Sequence, residues 1–287
     1  MNLKELILKA NQNFEVIWHF NVSELAMIFG IFDAAFNLKK PVILGVSEGE
    51  RNFLRIKTIV NLVKSLRQNY NFPIFLNADH SHSFESAKEA IDAGFDAVII
   101  DGSKLSLEEN ILLAKKVVEY RNENNKNVLI EAELGYIGTH SEILSDLPQG
   151  AAIKSESFTK PQEAKNFIEQ TGIDLFAPAV GNIHGIILKD NQSLNPQIDI
   201  QRIAEIKKAT NIPLVLHGGS GIQEKDFVSA VQAGINIIHI STELRFAWRK
   251  AVEEFLVQNP SEIAPYKILT SAYNSTYQIA EKYLKLI

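Results

Sequence analysis

Eight short apolar runs punctuate the chain, at residues 14–20, 41–46, 73–77, 96–100, 128–133, 174–180, 213–216 and 236–240. Several of them, including PVILG, AVII, PLVL and INIIHI, contain no polar alternation. A strand with one face in water alternates, so these runs read as strands buried on both faces, as in a parallel sheet covered by helices. Between them, residues 23–38, 52–69, 84–93, 107–124, 161–171, 200–210 and 223–233 carry apolar positions at helical spacing. Two more such segments, 242–258 and 264–286, follow the last strand, and residues 1–12 form an amphipathic helix ahead of the first. Strand and helix alternating eight times predict an α/β fold, a (β/α)8 TIM barrel with an extra N-terminal helix at its bottom and a C-terminal helical extension. The alternative is a doubly wound open sheet. A single domain over 1–287 is expected, since no linker or low-complexity tract interrupts the alternation. Punctuation agrees: Thr159 before Pro161 reads as a helix N-cap, and Gly94, Gly172 and Gly234 stand where helices end. Residues 138–157 form the longest stretch without periodicity.

In a barrel of this kind chemistry belongs at the carboxyl ends of the strands. There the chain places Asn77-Ala78-Asp79-His80, Asp101-Gly102-Ser103, Glu131-Ala132-Glu133, Gly181 to Gly185, and His217-Gly218-Gly219-Ser220-Gly221. Three of the seven histidines, His80, His184 and His217, are thereby expected to ring one mouth. Three imidazoles from separate strands can hold a catalytic zinc ion with a coordination position open. Asp79 and His80 are neighbours, which a regular strand would send to opposite faces, so the strand must break its alternation for both to reach the site. A carboxylate beside such a metal can serve as general acid and base; a helix cap near Ser83 is its other reading. The glycine-rich turn after strand seven, with Ser241-Thr242 opening a helix after strand eight, can grip a phosphate through backbone N–H groups.

Composition narrows these options. The 287 residues carry Lys+Arg 29 and Asp+Glu 34, a net charge of −5, with no cysteine. Thiolate chemistry is excluded, so a metal must rest on His, Asp or Glu. The scattered basic residues give no footprint for nucleic acid, and no apolar run reaches the ~20 residues that span a bilayer. A cytoplasmic protein without a nucleic-acid or membrane partner is expected.

The chain resembles the class II, metal-dependent fructose- and tagatose-bisphosphate aldolases, particularly the tagatose branch. The resemblance rests on Asp79-His80-Ser81, on Gly94 to Ser103 followed by Glu109-Asn110, and on Glu131 to Gly135. It continues through Phe158-Thr159-Lys160-Pro161, Thr171 to Asp174, Gly181 to Gly185 and Pro213 to Gly221. It implies zinc on His80, His184 and His217, with a monovalent cation as a further candidate, and Asp79 as proton donor and acceptor. Substrate contacts are implied at Asn21, Ser47, Gly185, Gly218, Gly219 and Ser220 and along His239, Ile240, Ser241 and Thr242. Asp101 and Glu133 match positions that hold metal in an alternative arrangement. A phosphorylated ketose substrate and a homodimer or homotetramer are implied as well.

Three departures from the family pattern stand out. Strand eight carries His239 where the family has the Asn that steadies the enediolate, and Ile237 where it has Lys. The mobile loop reads Gly138-Thr139-His140-Ser141-Glu142, with Ser141 aligned to the family's proton-exchanging Glu and Glu142 one position late. Ile17-Trp18-His19 replaces a small Pro-Ala pair ahead of Phe20-Asn21. The expectation is an aldehyde-lyase that cleaves a ketose 1,6-bisphosphate, with His239 as donor to the substrate and Glu142 as the exchanging group. The alternatives are a paralogue acting on another phosphorylated sugar and a catalytically silent zinc and phosphosugar binder.

Overall fold

The computed structural model describes residues 2–138, 141–189 and 192–287. Eight parallel strands close into a barrel: β1 (Ile17–Asn21), β2 (Val42–Val46), β3 (Ile74–Ser81), β4 (Ala97–Ile100), β5 (Leu129–Leu134), β7 (Leu175–Pro178), β10 (Leu214–Leu216) and β11 (Ile235–Ile240). The ring order is β1-β11-β10-β7-β5-β4-β3-β2, so β1 pairs with β11 to close it. Three short strands lie outside: β6 (Ile143–Leu144), β8 (Ile186–Lys189) and β9 (Gln192–Ser193), which form a small sheet in the order β6-β8-β9. Every strand expected from the sequence is present. The barrel, rather than the open sheet, is the architecture.

Strand residues divide by parity. Trp18, Phe20, Val42, Leu44, Ile74, Leu76, Val98, Ile100, Ile130, Ala132, Leu214, Leu216, Ile238 and Ile240 pack outward in one core with the helices. Ile17, Ile43, Phe75, Ala97, Leu129, Leu175, Val215 and Ile237 point inward and form a second core with Leu3, Leu6, Ile7 and Ala10 of helix α1 (Leu3–Asn13). That helix plugs the bottom of the barrel, as its amphipathic pattern requires. One residue pair further along, the inward positions turn polar: His19, Asn77, Glu131, His217 and His239 are all buried.

The helices follow the expected segments: α2 (Leu25–Leu38), α4 (Ile56–Tyr70), α5 (Phe84–Ala93), α6 (Leu107–Asn124), α7 (Pro161–Thr171), α8 (Ile200–Thr210), α9 (Glu224–Ala233), α10 (Thr242–Gln258) and α11 (Pro265–Leu286). Gly94, Gly172 and Gly234 end helices as expected. Four details differ. A separate short helix, α3 (Glu48–Leu54), precedes α4 and is capped by Ser47. The third strand continues past Asn77 to Ser81. Lys160 stands at the N-cap position of α7 without a side-chain cap bond, and Thr159 is occupied in bonding the Leu134 carbonyl and the Ala179 N–H. Among the described residues of 138–157, the expected irregular stretch, lie β6 and a 3-10 turn at Ser155–Ser157.

Candidate active site

The carboxyl end of β3 sets the site. Pairing with β4 shifts register between Ala78 and Ser81, and His80 takes a left-handed backbone with φ 45°. This is the break in alternation that the Asp79-His80 neighbours demand, and it lets both side chains reach the mouth. The distortion is held by Arg51 of α3, which is buried and donates to the carbonyls of Val46 and Asp79 and to the hydroxyls of Ser81 and Ser86. Ser83, not Asp79, caps α5.

His80, His184 and His217 converge, with ring centroids 4.8, 5.0 and 5.8 Å apart. One ligand atom from each lies within 4.8 Å of the others. His80 Nδ1 is hydrogen-bonded to Asp101 at 3.2 Å and stands 2.9 Å from Glu133, which leaves Nε2 facing inward. His217 Nε2 is bonded to Glu131 at 2.7 Å, leaving Nδ1 buried and, among the described residues, without a hydrogen-bond partner, as is His184 Nε2. A carboxylate on the far nitrogen is what orients a metal-ligating imidazole and fixes its tautomer. The donor set therefore fits a zinc-type ion. Asp101 and Glu133 stand behind His80, and the three together could also hold an ion.

Asp79 lies against this set. Its Oδ2 accepts from Asn21 Nδ2 at 2.7 Å, and its Oδ1 is 3.6 Å from both His80 Nε2 and His239 Nδ1. Burial pushes its pKa up, but the nearby imidazoles outweigh it and hold the carboxyl well below the usual range. For His80, burial is outweighed by Asp79, Glu133 and Asp101, and its pKa is raised well above the ordinary value. His239 moves the other way: burial and the neighbouring rings of His19 and His217 leave it neutral.

A cavity of about 200 Å³ opens above, lined by Asn21, Ser47, Asp79, His80, Ser141 and Arg245 among others. A smaller adjoining pocket meets Gly185, Gly218, Ser220, His239, Ser241 and Thr242. The expected phosphate segments thus share one wall. Gly218 has φ +63° and passes so close to the Ile183 carbonyl that a Cβ would lie 2.1 Å from that oxygen, so only glycine fits. Ser220 Oγ accepts from the N–H groups of Ser241 and Glu243, tying the turn to the start of α10.

Some expected contacts sit elsewhere. The Gly219 N–H donates to the His239 carbonyl, and the Ile240 side chain belongs to the outward core. Glu142 is exposed, with its carbonyl accepting from Ile186; Ser141 is the loop residue that lines the cavity. His140 and Thr139 lie outside the described residues. Sequence reasoning gave no role to Glu131, although two-residue spacing from Glu133 puts both on the inward face. It also missed Arg51 and Arg245. Among the described residues, Arg245 is the one Arg or Lys lining the cavity above the histidines, and it is paired with Glu50 at 2.6 Å.

Residues 1–287 match the family described as fructose-bisphosphate aldolase class-II. The chain belongs to the class II fructose-bisphosphate aldolases. It is an aldehyde-lyase by that membership. Among its relatives, a fructose-bisphosphate aldolase of Geobacillus stearothermophilus is 37% identical over 272 residues, covering 94% of this chain and 90% of the relative. One of Staphylococcus aureus is 38% identical over 275 residues, covering 95% and 91%. The crystal structure of the YdjI aldolase from Escherichia coli K12 superposes with a TM-score of 0.81 at 28% identity, over 99% of this chain and 96% of that one. A putative fructose-1,6-bisphosphate aldolase from Coccidioides immitis, 23% identical, shares the aldolase barrel with a TM-score of 0.83, over 100% and 96%.

Proposed function

We propose that this chain is a metal-dependent aldolase that reversibly cleaves a ketose 1,6-bisphosphate, of fructose or tagatose configuration, to dihydroxyacetone phosphate and glyceraldehyde 3-phosphate. The observation that carries the reading is the convergence of three imidazoles, two of them backed by carboxylates, beside a buried and ionised Asp79. A zinc-type ion held by His80, His184 and His217 would supply Lewis-acid polarisation of the ketose carbonyl and its neighbouring hydroxyl.

Asp79 takes the proton from the C4 hydroxyl as the C3–C4 bond breaks, and the electron pair of that bond stays on the ketone half. Asn21 holds the carboxylate in line for this transfer. His239, kept neutral, has one N–H to donate toward the ketone-half oxygen where negative charge develops. Glu142, next to the cavity-lining Ser141, is assigned the proton exchange at C3 of the ketone half and must swing inward to perform it. One phosphate binds along Gly185, Gly218, Ser220, Ser241 and Thr242, and the other between Ser47 and Arg245.

The test is cleavage of fructose and tagatose bisphosphates by zinc-loaded protein, beside solvent tritium exchange into dihydroxyacetone phosphate. Turnover of one epimer, with exchange that collapses in Glu142→Gln and His239→Ala, is expected. Neither turnover nor exchange in metal-saturated wild type would replace the aldolase with a silent phosphosugar binder.

A further inference from the structure

Beside the three-histidine mouth, on the inward face of β1, stands a side chain to which the reaction above gives no role. His19, the central inward residue of β1, is completely buried, and neither of its ring nitrogens has a hydrogen-bond partner among the described residues. Such atoms are rare in folded proteins, and an ion or water is a standard reason for them. Two more lie beside it: Asp79 Oδ1 and His239 Nε2 are also buried and unpaired. The strand register explains the grouping. His19 and His239 are direct partners across the β1–β11 seam, and their rings lie face to face with centroids 3.5 Å apart. Gly45 on β2 makes the room, since a Cβ there would stand 2.0 Å from His19 Cε1.

We infer that His19, Asp79 and His239 form a second divalent-cation site that shares no ligand with the adjoining three-histidine set, whose His217 stacks on His239 with ring centroids 4.1 Å apart. One ligand atom from each lies within 4.8 Å of the others. Both ring nitrogens of His19 are buried and, among the described residues, unpaired, so a ring lone pair is available to an ion. The parallel rings must fan apart about their Cβ–Cγ bonds to aim at a shared ion. Two neutral imidazoles and one carboxylate favour zinc, cobalt or nickel over magnesium or calcium.

The consequence for activity follows from Asp79, and here the inference rests on the aldolase reading. An ion on Oδ1 withdraws the carboxylate that must accept the C4 proton. The second site is therefore inhibitory: protein holding one ion turns over, and protein holding two is slowed. His19 takes no part in the reaction as assigned, so it isolates the second site from the first.

The experiment is a titration of metal-free protein with cobalt and with zinc, following bound metal by equilibrium dialysis, the cobalt absorption bands, and ketose bisphosphate cleavage. Wild type is expected to bind two equivalents, with cleavage rising through the first and falling by about tenfold or more through the second, a fraction of what a positioned acid/base is worth. His19→Ala and the volume-keeping His19→Phe are expected to bind one equivalent and to show no fall. Wild type that binds one equivalent and turns over overturns the second site and leaves the aldolase reading intact. A second equivalent retained by both variants overturns it by placing that ion elsewhere. Wild type that binds none overturns both readings.

Discussion

At Asp79 a single carboxylate answers to several neighbours. Asn21 fixes one oxygen at 2.7 Å, and the surrounding imidazoles keep the group ionised despite burial. Asp79→Asn preserves the shape and the amide can still meet its neighbours, yet it cannot take a proton. Turnover is expected to fall about 10²- to 10⁴-fold while the ion on the three histidines is retained, as steady-state cleavage and metal analysis would show. Equal activity would remove Asp79 from the chemistry. His80 carries a different consequence. Its pKa in the metal-free protein is raised by Asp79, Glu133 and Asp101, so at neutral pH it holds a proton that a metal must displace. Apparent zinc affinity is expected to climb as pH rises through the ordinary imidazole range and to level off only above the raised His80 value. Calorimetric titration in two buffers of different ionisation enthalpy should give different heats, because a proton is released. The same group contributes stability to the metal-free fold that is fully present below the ordinary imidazole pKa and is lost as pH rises through the folded pKa.

At the scale of elements, α3 and the end of β3 act as one unit. Arg51 reaches from the helix to two strand carbonyls and two serine hydroxyls, and so stabilises the left-handed His80. Arg51→Met removes those donors from a buried place. We expect a stability loss of about 2–4 kcal/mol in denaturant unfolding and zinc affinity weaker by about 10- to 100-fold, the usual effect of losing a group that orients a ligand. Unchanged affinity would show that His80 holds its place without the clamp. How much of this was legible in the chain depends on what generates periodicity. The strands PVILG and INIIHI announce burial on both faces, and the histidines at strand ends follow from parity once a barrel is assumed. The break at His80 was legible too, since Asp79 and His80 could not otherwise share a site. The helix α3, the clamp by Arg51, the cavity face of Arg245 and the β6-β8-β9 sheet were not. The roles of Arg51 and Arg245 and the pairing of β6 with β8 are fixed by contacts between segments distant in sequence, and no pattern of apolar residues marks α3, whose start is set by the Ser47–Glu50 capping box.

Across the whole molecule, stability and chemistry occupy opposite ends of the barrel. Ile7 of α1 is buried against the inward layer of Ile17, Phe75 and Val215, far from the mouth. Ile7→Ala is expected to cost about 2–5 kcal/mol in unfolding free energy and to leave kcat and KM within about twofold. A matching loss of zinc would mean that the plug supports the site. The seam between β1 and β11 joins strands from opposite ends of the sequence, and it is where His19 faces His239. Pairings between distant segments form late, because the loop entropy must be spent before the contact returns anything. On refolding, a partly assembled sheet can bring His80, Asp101 and Glu133 together early, since β3, β4 and β5 are sequential neighbours. The donor opposite Asp79 has to wait for closure. The ring therefore works as a clock: activity should return with the slowest folding phase, and amide exchange along β1 and β11 should keep pace with inactivation while the rest of the barrel stays protected.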